Sequence, residues 1–335
     1  MTTTTTKSRV CCSSVFDSSE YSAAKARVLA TYLLMDRKKD NLGVKFLGNS
    51  VSYMRKWLFR VLSIGPVPRH LAFILDGNRR YAKKHNLGDG MGHRAGFLAL
   101  MSIMKYCYEL GVKYVTIYAF SIDNFRRRPE EVQSVMDLML EKIEGLIKEE
   151  SLVNEYGVRV YFIGNLKLLN DPVRAAAERA MKATSNNSNS ILLICVAYTS
   201  TDEITNAAQV SCDEKLGLAG VIGGEDEDGD IVVEGEENGE CNGQDEVEDE
   251  DEDEEIIKLA DVEKHMSMGV APDPDIMIRT SGETRLSNFL LWQTTNCLLY
   301  SPSALWPEIG LRHLVWAVLN FQRNHLYFEK KRKQN

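Results

Sequence analysis

The chain has 335 residues, of which 44% are hydrophobic, and this is enough apolar material for a globular core. Its net charge of −8 comes from one block, because residues 225–255 include 19 acidic and no basic side chains. The rest of the chain has 40 basic and 29 acidic residues, a net charge of +11 that favours anionic partners. The longest purely apolar run, Ile191 to Ala197, is far shorter than the roughly 20 residues of a membrane-spanning helix. Seven cysteines without a metal-type CxxC spacing favour a reducing compartment.

The N-terminal part divides into an extension and a helix. Residues 1–42 are expected to be disordered or partly helical, and their Ser- and Thr-rich start also fits a transit peptide. In residues 43–64, apolar side chains recur at helical spacing, at Leu47, Val51, Met54, Leu58 and Val61. This spacing predicts an amphipathic helix. Two interpretations are open: the helix packs on its own domain, or it lies at a membrane surface or at the mouth of a lipid-binding tunnel.

Residues 65–330 alternate short apolar runs with longer helical patterns, which predicts a single α/β domain. The expected strands are His70–Leu75, Tyr114–Ala119, Val158–Ile163, Ile191–Ala197 and Asp275–Ile278. The expected helices are Arg94–Leu110, Pro129–Lys148, Asp171–Ala183, one from Thr201 and one from Leu311. Continuously apolar strands joined by helices indicate a mostly parallel sheet covered on both faces. Residues 211–255 interrupt the pattern, and their acidic, Gly-rich composition predicts a disordered insertion.

Polar side chains follow three of the predicted strands, at the edge where open parallel sheets bind their ligands. After the first strand comes Asp76-Gly77-Asn78-Arg79-Arg80, with Gly92-His93 opening the next helix; after the second strand come residues 120–128, FSIDNFRRR; and after the last come residues 279–289, RTSGETRLSNF. Arginine forks and serine hydroxyls bind diphosphates, and a carboxylate among them suits Mg²⁺. The residues alone therefore predict a Mg²⁺-dependent site for one or two diphosphates, with Asp76 as the metal ligand.

Each of these signals also has an ordinary structural interpretation. An Asp-Gly pair is a common turn, the basic triplet Arg126–Arg128 is typical of a solvated edge, and His93 fits the start of a helix. The functional interpretation depends on their occurrence together at several strand ends.

Five segments resemble the signature blocks of the cis-prenyltransferase family: HLAFILDGNRRYAKK, GHRAGF, YAFSIDNFRRRPEEV, RTSGETRLSNFLLWQ and LWPE. The resemblance extends from about His70 to Gln322, without the insertion, and it is greatest to plant rubber-type and dolichol-type members. It implies an undecaprenyl diphosphate synthase-like fold with a hydrophobic tunnel. It also implies a Mg²⁺-dependent enzyme that adds isopentenyl diphosphate to an allylic, farnesyl-type diphosphate with Z geometry.

The resemblance further implies a role for each candidate residue. The catalytic residues would be Asp76, Asn78, Ser121 and Asn124, with Asp76 also serving Mg²⁺. Residues that bind the allylic diphosphate would be Gly77, Asn78, Arg80 and His93, with Arg79 beside them. Isopentenyl diphosphate would be positioned by Ser121, Asn124 and Arg127, which would also assist the loss of its proton. Its diphosphate would be bound by Arg279, Arg285 and Ser287.

Three positions depart from the family pattern. Asp89 stands where many relatives carry Arg, and Leu298 stands where bacterial members carry a metal-binding Glu. The C-terminal residues lack the Arg-x-Gly tail of bacterial homodimers. By resemblance to two-subunit eukaryotic enzymes, we expect a Nogo-B-receptor-like partner that supplies the tail and a membrane anchor, with homodimerisation also open. The expected location is the cytoplasm at the endoplasmic reticulum membrane, with the plastid as the alternative.

Two other functions compete with catalysis. A non-catalytic accessory subunit of a prenyltransferase complex would keep the fold, but it would be expected to have lost several of the site residues. The basic charge outside the acidic block also suggests nucleic-acid binding, yet no RNP, KH or zinc-finger pattern is present in the sequence. We therefore expect no nucleic-acid partner.

Overall fold

The computed structural model describes residues 44–88, 90–147, 152–217 and 257–334. In these residues the chain forms a six-stranded sheet whose five strand pairings are all parallel. The strands are β1 (His70–Ile74), β2 (Tyr114–Ser121), β3 (Val158–Ile163), β4 (Ser190–Tyr198), β5 (Ile276–Arg279) and β6 (Leu298–Tyr300). Their order is β3-β4-β2-β1-β5-β6, which places β1 between β2 and β5. The predicted parallel α/β architecture is confirmed.

Helices connect the strands. They are α1 (Val44–Leu62), α2 (Asn78–Lys84), α3 (Met91–Leu110), α4 (Pro129–Leu146), α5 (Leu152–Glu155), α6 (Asp171–Ala183), α7 (Ser200–Lys215), α8 (Leu259–Lys264) and α9 (Leu311–Arg332). Within the described segments, none of them is both long and apolar enough to cross a membrane. Helix α1 agrees with the predicted amphipathic helix, and its Leu58, Phe59 and Leu62 are buried in the core.

Alternate residues of each strand pack on opposite sides of the sheet, as the period of two requires. In β1, Leu71 and Phe73 join the apolar cluster that includes side chains of α1, α3, α4, α6 and α9. Ala72 and Ile74 join a second cluster on the other face, with Phe289. Both faces of the sheet are therefore buried, which explains why the strand sequences are continuously apolar.

His70 and Asp275 hold the beginnings of the three central strands together. The Asp275 carboxylate accepts a hydrogen bond from the His70 backbone N at 3.1 Å. The imidazole Nδ1 donates to the carbonyl of Pro272 at 2.5 Å, so its Nε2 accepts from the Thr116 hydroxyl at 2.7 Å. Burial lowers the pKa of His70 to about 4, which leaves the ring neutral near pH 7. Because the strands start in register, their carboxyl ends meet at one edge.

Helix α7 corrects the predicted start of the insertion at residue 211. The helix continues to Lys215, and the buried Ser211 donates a hydrogen bond to the Asp261 carbonyl at 3.1 Å. The Lys264 ammonium binds the Glu214 carboxylate at 2.9 Å. Composition alone missed this last turn of the helix because it is stabilised by a segment about fifty residues later in the chain. The remainder of the predicted insertion, residues 218–255, and the predicted extension 1–42 lie outside the described residues.

Close packing between α2 and α3 depends on glycine. A Cβ at Gly92 would lie 2.2 Å from the Asn78 carbonyl oxygen, and a Cβ at Gly96 would lie 2.1 Å from the Asn78 side-chain oxygen. Such separations are shorter than atoms tolerate, so the two helices approach only because these side chains are absent. The contact places Asn78 against the start of α3.

We predict that Gly92→Ala lowers the free energy of unfolding by about 1–3 kcal/mol, because the added methyl overpacks a backbone contact. The matched control is Gly145→Ala in α4, where a Cβ would meet nothing within 4 Å. Helix propensity favours alanine there by roughly 0.5–1 kcal/mol. Denaturant unfolding of both variants measures the difference. Equal stability of the two variants would contradict the packing argument.

Candidate active site

The candidate site is a cavity of about 750 Å³ that opens at the carboxyl ends of β1, β2 and β5. Its mouth is polar and cationic, and its interior is apolar. The mouth is lined by Asp76, Asn78, Arg79, His93, Ser121, Asn124, Arg127, Arg279, Arg285 and Ser287. A smaller polar cavity of about 450 Å³ adjoins it and adds Gly77 and Arg80 to the lining residues. The structure thus brings together all twelve residues that the sequence predicted for the site.

The Asp76 carboxylate is held by two guanidinium groups. Arg279 Nη2 donates to Asp76 Oδ2 at 2.8 Å, and Arg80 Nη2 donates to Asp76 Oδ1 at 3.1 Å. Burial would raise the pKa of the Asp76 carboxyl, but the hydrogen bonds from Arg279 and Arg80 outweigh it and hold the pKa below its usual value. The carboxylate is therefore ionised near pH 7 at the mouth of the cavity.

The backbone of Asp76 is fixed as firmly as its side chain. Its carbonyl oxygen accepts hydrogen bonds from the Thr280 hydroxyl at 2.6 Å, the Ser281 hydroxyl at 2.8 Å and the Trp306 backbone N at 2.9 Å. The next residue, Gly77, has a φ of +115°, and a Cβ there would lie 2.6 Å from Ser281 Oγ. Only glycine fits this turn between β1 and α2.

Asn78 and Arg279 each leave a buried polar atom without a partner in the described part of the chain. Asn78 Nδ2 donates to the Leu75 carbonyl at 3.2 Å, while its Oδ1 is unpaired. Arg279 Nη1 donates to the Ser287 hydroxyl at 2.6 Å, while its Nε is unpaired. Both side chains line the cavity, so a polar ligand there could satisfy groups that are costly to leave unpaired.

Ser121 and Asn124 belong to a turn that begins where β2 ends. The Ser121 hydroxyl accepts a hydrogen bond from the Asp123 backbone N at 3.2 Å, and Asn124 Oδ1 accepts one from the Ser121 backbone N at 3.2 Å. The two side chains therefore cap the turn and also line the cavity. Their orientation towards the site is set by this reciprocal capping.

Three cationic or basic side chains surround Glu131 on the other side of the mouth. Arg127 Nη1 donates to Glu131 Oε1 at 3.0 Å, and Arg79 Nη1 lies 3.5 Å from the same oxygen. Burial and the nearby Arg127 lower the pKa of His93, so its ring is neutral near pH 7. A neutral imidazole beside two guanidinium groups can hydrogen-bond an anion without adding a buried charge.

The interior of the cavity is suited to a hydrocarbon. Its walls come from the facing sides of α3 and α4 and from strands β2, β3 and β4. Apolar wall residues include Leu100, Met104, Ile117, Met139, Ile143, Leu146, Phe162 and Leu192. The predicted hydrophobic tunnel is therefore present, with its polar end at Asp76.

A divalent cation would meet one protein carboxylate at this mouth. In the described segments, no group of three or more Asp, Glu, His or Cys side chains is placed to hold a metal ion. Mg²⁺ commonly binds one or two carboxylates and takes its other ligands from phosphates and water. The ionised, partly exposed Asp76 could be the one carboxylate that the protein contributes to such a site.

The positions that depart from the family pattern lie away from this carboxylate or outside the described residues. Leu298 pairs with Ile276 in the sheet. Ile276 is three residues, or about 10 Å, along the strand from Arg279, so Leu298 does not reach Asp76. Asp89 lies outside the described residues.

Comparison with known proteins identifies the family. The prenyltransferase family model, which describes undecaprenyl diphosphate synthases, matches residues 74–329. The chain belongs to this family. The predicted resemblance is therefore confirmed, and family membership supports prenyltransferase activity for this chain.

Three relatives show where the chain lies within the family. It is 63% identical over 284 residues to dehydrodolichyl diphosphate synthase 6 of Arabidopsis thaliana, covering 84% of this chain and 92% of that protein. It is 57% identical over 278 residues to rubber cis-polyprenyltransferase HRT2 of Hevea brasiliensis, with coverages of 83% and 92%. It is 37% identical over 283 residues to the dehydrodolichyl diphosphate synthase complex subunit DHDDS of Homo sapiens, with coverages of 84% and 75%.

A solved structure shares the fold. Lavandulyl diphosphate synthase from Lavandula x intermedia, crystallised in complex with dimethylallyl diphosphate, matches with a TM-score of 0.61 and 26% sequence identity. The match covers 76% of this chain and 95% of that protein. The predicted undecaprenyl diphosphate synthase-like fold is thus confirmed.

Several contributors to the site were not singled out from the sequence. Thr280, Ser281 and Trp306 hold the Asp76 carbonyl, and Glu131 pairs with two of the arginines. Thr280 and Ser281 follow Arg279 directly, among the strand-end hydroxyls to which the sequence pointed, but neither was given a role. Trp306 and Glu131 lie in two of the segments that resemble the family, LWPE and YAFSIDNFRRRPEEV, yet nothing in those segments signals these contacts.

We predict that Gly77→Ala lowers prenyltransferase activity by at least about tenfold, because the new Cβ displaces Ser281 and the Asp76 backbone. The matched control is Gly90→Ala, which also has a positive φ, of +77°, but would meet nothing within 4 Å. Incorporation of labelled isopentenyl diphosphate measures both variants. Equal losses in the two variants would show that backbone strain alone, and not the clash at Asp76, is responsible.

Proposed function

We propose that the chain is the catalytic subunit of a long-chain cis-prenyltransferase. It condenses isopentenyl diphosphate onto an allylic, farnesyl-type diphosphate to make a Z-polyprenyl diphosphate of the dehydrodolichyl or rubber type. The observation that supports this best is the continuity of one cavity from a cationic mouth at Asp76 to an apolar interior between α3 and α4. Such a cavity fits a molecule with a diphosphate at one end and a growing hydrocarbon at the other.

The mouth has the groups needed to bind two diphosphates. On one side, Asn78, Arg79, Arg80 and His93 follow β1, and they suit the allylic diphosphate. On the other side, Arg279, Arg285 and Ser287 follow β5, and they suit the diphosphate of isopentenyl diphosphate. The unpaired Asn78 Oδ1 and Arg279 Nε provide further polar contacts for the ligands.

The reaction breaks the allylic C–O bond, joins the allylic carbon to isopentenyl diphosphate and then removes a proton. Negative charge grows on the leaving diphosphate, and the fixed guanidinium groups around it stabilise that charge. Ser121, Asn124 and Arg127 lie where the second substrate would be oriented for proton loss. The apolar interior excludes water from the growing chain.

Mg²⁺ is proposed as the cofactor. Asp76 would bind it together with diphosphate oxygens, and the cation would neutralise the diphosphate that departs. Arg279 and Arg80 keep the Asp76 carboxylate ionised and in place at the mouth of the cavity. They also compete with a cation for its two oxygens, so metal and diphosphate are expected to bind together.

A second subunit is proposed as a partner. The human relative is named as a subunit of a dehydrodolichyl diphosphate synthase complex, which supports a heteromer. Strand β6 lies at the edge of the sheet formed by the described residues, and its Leu299 is 53% exposed. An edge strand with an exposed leucine is a surface that partner proteins cover. We propose a Nogo-B-receptor-like subunit as that partner.

Peripheral attachment to the endoplasmic reticulum membrane is proposed from the outward face of α1. This face presents Tyr53, Lys56, Trp57 and Arg60, a mixture of aromatic and basic residues that is typical of interfacial helices, and the exposed Ile64 follows in the turn after the helix. The end of α9 adds the exposed Leu326 and Tyr327, and Gln322 Nε2 joins the two helices by donating to the Leu62 carbonyl at 2.7 Å. The plastid is the alternative location if residues 1–42 direct import.

We predict that Asp76→Ala lowers turnover more than about 100-fold while the fold is kept, because the carboxylate proposed to bind Mg²⁺ at the departing diphosphate is lost. Turnover is measured with farnesyl diphosphate, labelled isopentenyl diphosphate and Mg²⁺, in the presence of the partner subunit. The matched control is Asp213→Ala on the exposed side of α7, whose carboxylate accepts a hydrogen bond only from Gln209 among the described residues.

Two outcomes would contradict this proposal. Normal elongation by Asp76→Ala would exclude the carboxylate from the reaction. Absence of elongation by the wild-type chain, with the partner present, would favour a non-catalytic accessory subunit.

A further inference from the structure

Ser281 has an unusual backbone conformation directly beside the catalytic carboxylate. Its φ is +78°, in the left-handed region that disfavours every residue with a Cβ and that glycine adopts freely. Two backbone hydrogen bonds hold the turn, from Ser281 N to the Ala304 carbonyl at 2.7 Å and from Gly282 N to the Pro302 carbonyl at 2.8 Å. These hydrogen bonds hold Ser281 in its strained conformation. Glycine would adopt this conformation freely but would lack the serine side chain.

That side chain contacts the site. Ser281 Oγ donates to the Asp76 carbonyl oxygen at 2.8 Å, and the same oxygen accepts from Thr280 Oγ1 and from the Trp306 backbone N. A carbonyl oxygen has two lone pairs, so three hydrogen-bond donors are more than it needs. The third donor restricts how the peptide between Asp76 and Gly77 can rotate.

Thr280 and Ser281 differ in how far they also support the fold. Thr280 is fully buried, and its hydroxyl also accepts a hydrogen bond from the Asp76 backbone N at 3.0 Å. Ser281 is only partly buried, and it fills the space above Gly77, where a Cβ would approach its Oγ to 2.6 Å. Loss of the Ser281 hydroxyl thus frees the turn after Asp76 without opening a core cavity.

We propose that Ser281 is a positioning residue, which holds the Asp76 carboxylate in its productive place by fixing the Asp76 carbonyl. The inference rests on the function proposed above, since it concerns the same site. Rotation of the Asp76–Gly77 peptide would move the carboxylate away from Arg279, to which it is bound at 2.8 Å. Small displacements of a catalytic group reduce turnover more than they reduce binding.

The test compares Ser281→Ala and Ser281→Gly with a matched control, Ser301→Ala. Ser301 lies in the segment that pairs with residues 281–282, and its hydroxyl donates to the Glu283 carbonyl at 2.8 Å without touching Asp76. Each variant is assembled with the partner subunit, and its kcat, its KM for both diphosphates, its melting temperature and its binding of the allylic diphosphate are measured. Binding is measured by calorimetry without isopentenyl diphosphate, so it does not depend on turnover.

We expect both Ser281 variants to lose about tenfold in kcat, with KM values and the calorimetric Kd within about threefold of wild type. Glycine removes the strain, so Ser281→Gly is expected to melt no lower than wild type and still to lose turnover. Ser301→Ala should keep the wild-type kcat.

Wild-type kcat in Ser281→Gly would overturn the proposal, because the residue would then be only a turn former. An equal loss of kcat in Ser301→Ala would also overturn it. If Ser281→Ala does not fold, the kcat of Ser281→Gly alone tests the proposal. Failure of the proposed function is distinguishable, since the wild-type complex would then show no elongation at all, and the positioning role would fall with it.

Discussion

The ion pair between Asp76 and Arg279 is the interaction on which the site depends. Its two oppositely charged groups stand at the ends of neighbouring strands β1 and β5, and Arg279 Nη2 lies 2.8 Å from Asp76 Oδ2. The Arg279 side chain is only 7% exposed, so its charge requires a partner within the protein. The same guanidinium binds Ser287, and its Nε is unpaired in the described segments. The pair is therefore a structural link across the sheet, and in the proposed function its guanidinium also binds a diphosphate.

This charged mouth is combined with an apolar interior because of how the sheet is built. Parallel strands bring their carboxyl ends to one edge, where loops can present arginine, serine and aspartate. The same strands are buried on both faces, and the space between them and helices α3 and α4 is lined with Leu, Met, Ile and Phe. In the proposed reaction, this one cavity would keep the charges of a diphosphate apart from the hydrocarbon that grows behind it. Close contact of Gly92 and Gly96 with Asn78 sets the position of α3 relative to the mouth.

Much of the fold could be predicted from the sequence because its signals are local. The strand Val158–Ile163 and the helix Asp171–Ala183 were predicted to the residue, since apolar runs and capping residues mark their ends. Strand β6 was missed because three residues, two of intermediate burial and one exposed, give almost no pattern. The end of α7 was missed because a contact with α8, far along the chain, decides it.

The candidate site was predictable to a similar degree. The residues that lie at strand ends, such as Asp76 and Arg279, follow from the pattern of a parallel sheet, and the family resemblance added their roles. The hydrogen bonds on the Asp76 carbonyl could not be predicted, because Trp306 approaches it from a segment about 230 residues later in the chain. Chain folding creates such contacts without leaving a local signal in the sequence.

Replacement of Arg279 by lysine tests whether the site depends on the geometry of its pair with Asp76. Lysine keeps the positive charge, but a single ammonium group cannot bind Asp76 and Ser287 in the fixed geometry of a guanidinium. With the partner subunit present and the fold verified by circular dichroism, we predict that Arg279→Lys lowers kcat/KM for elongation by at least about 100-fold. A kcat/KM within about threefold of wild type would contradict it, since charge alone, and not the Asp76–Arg279 geometry, would then be sufficient.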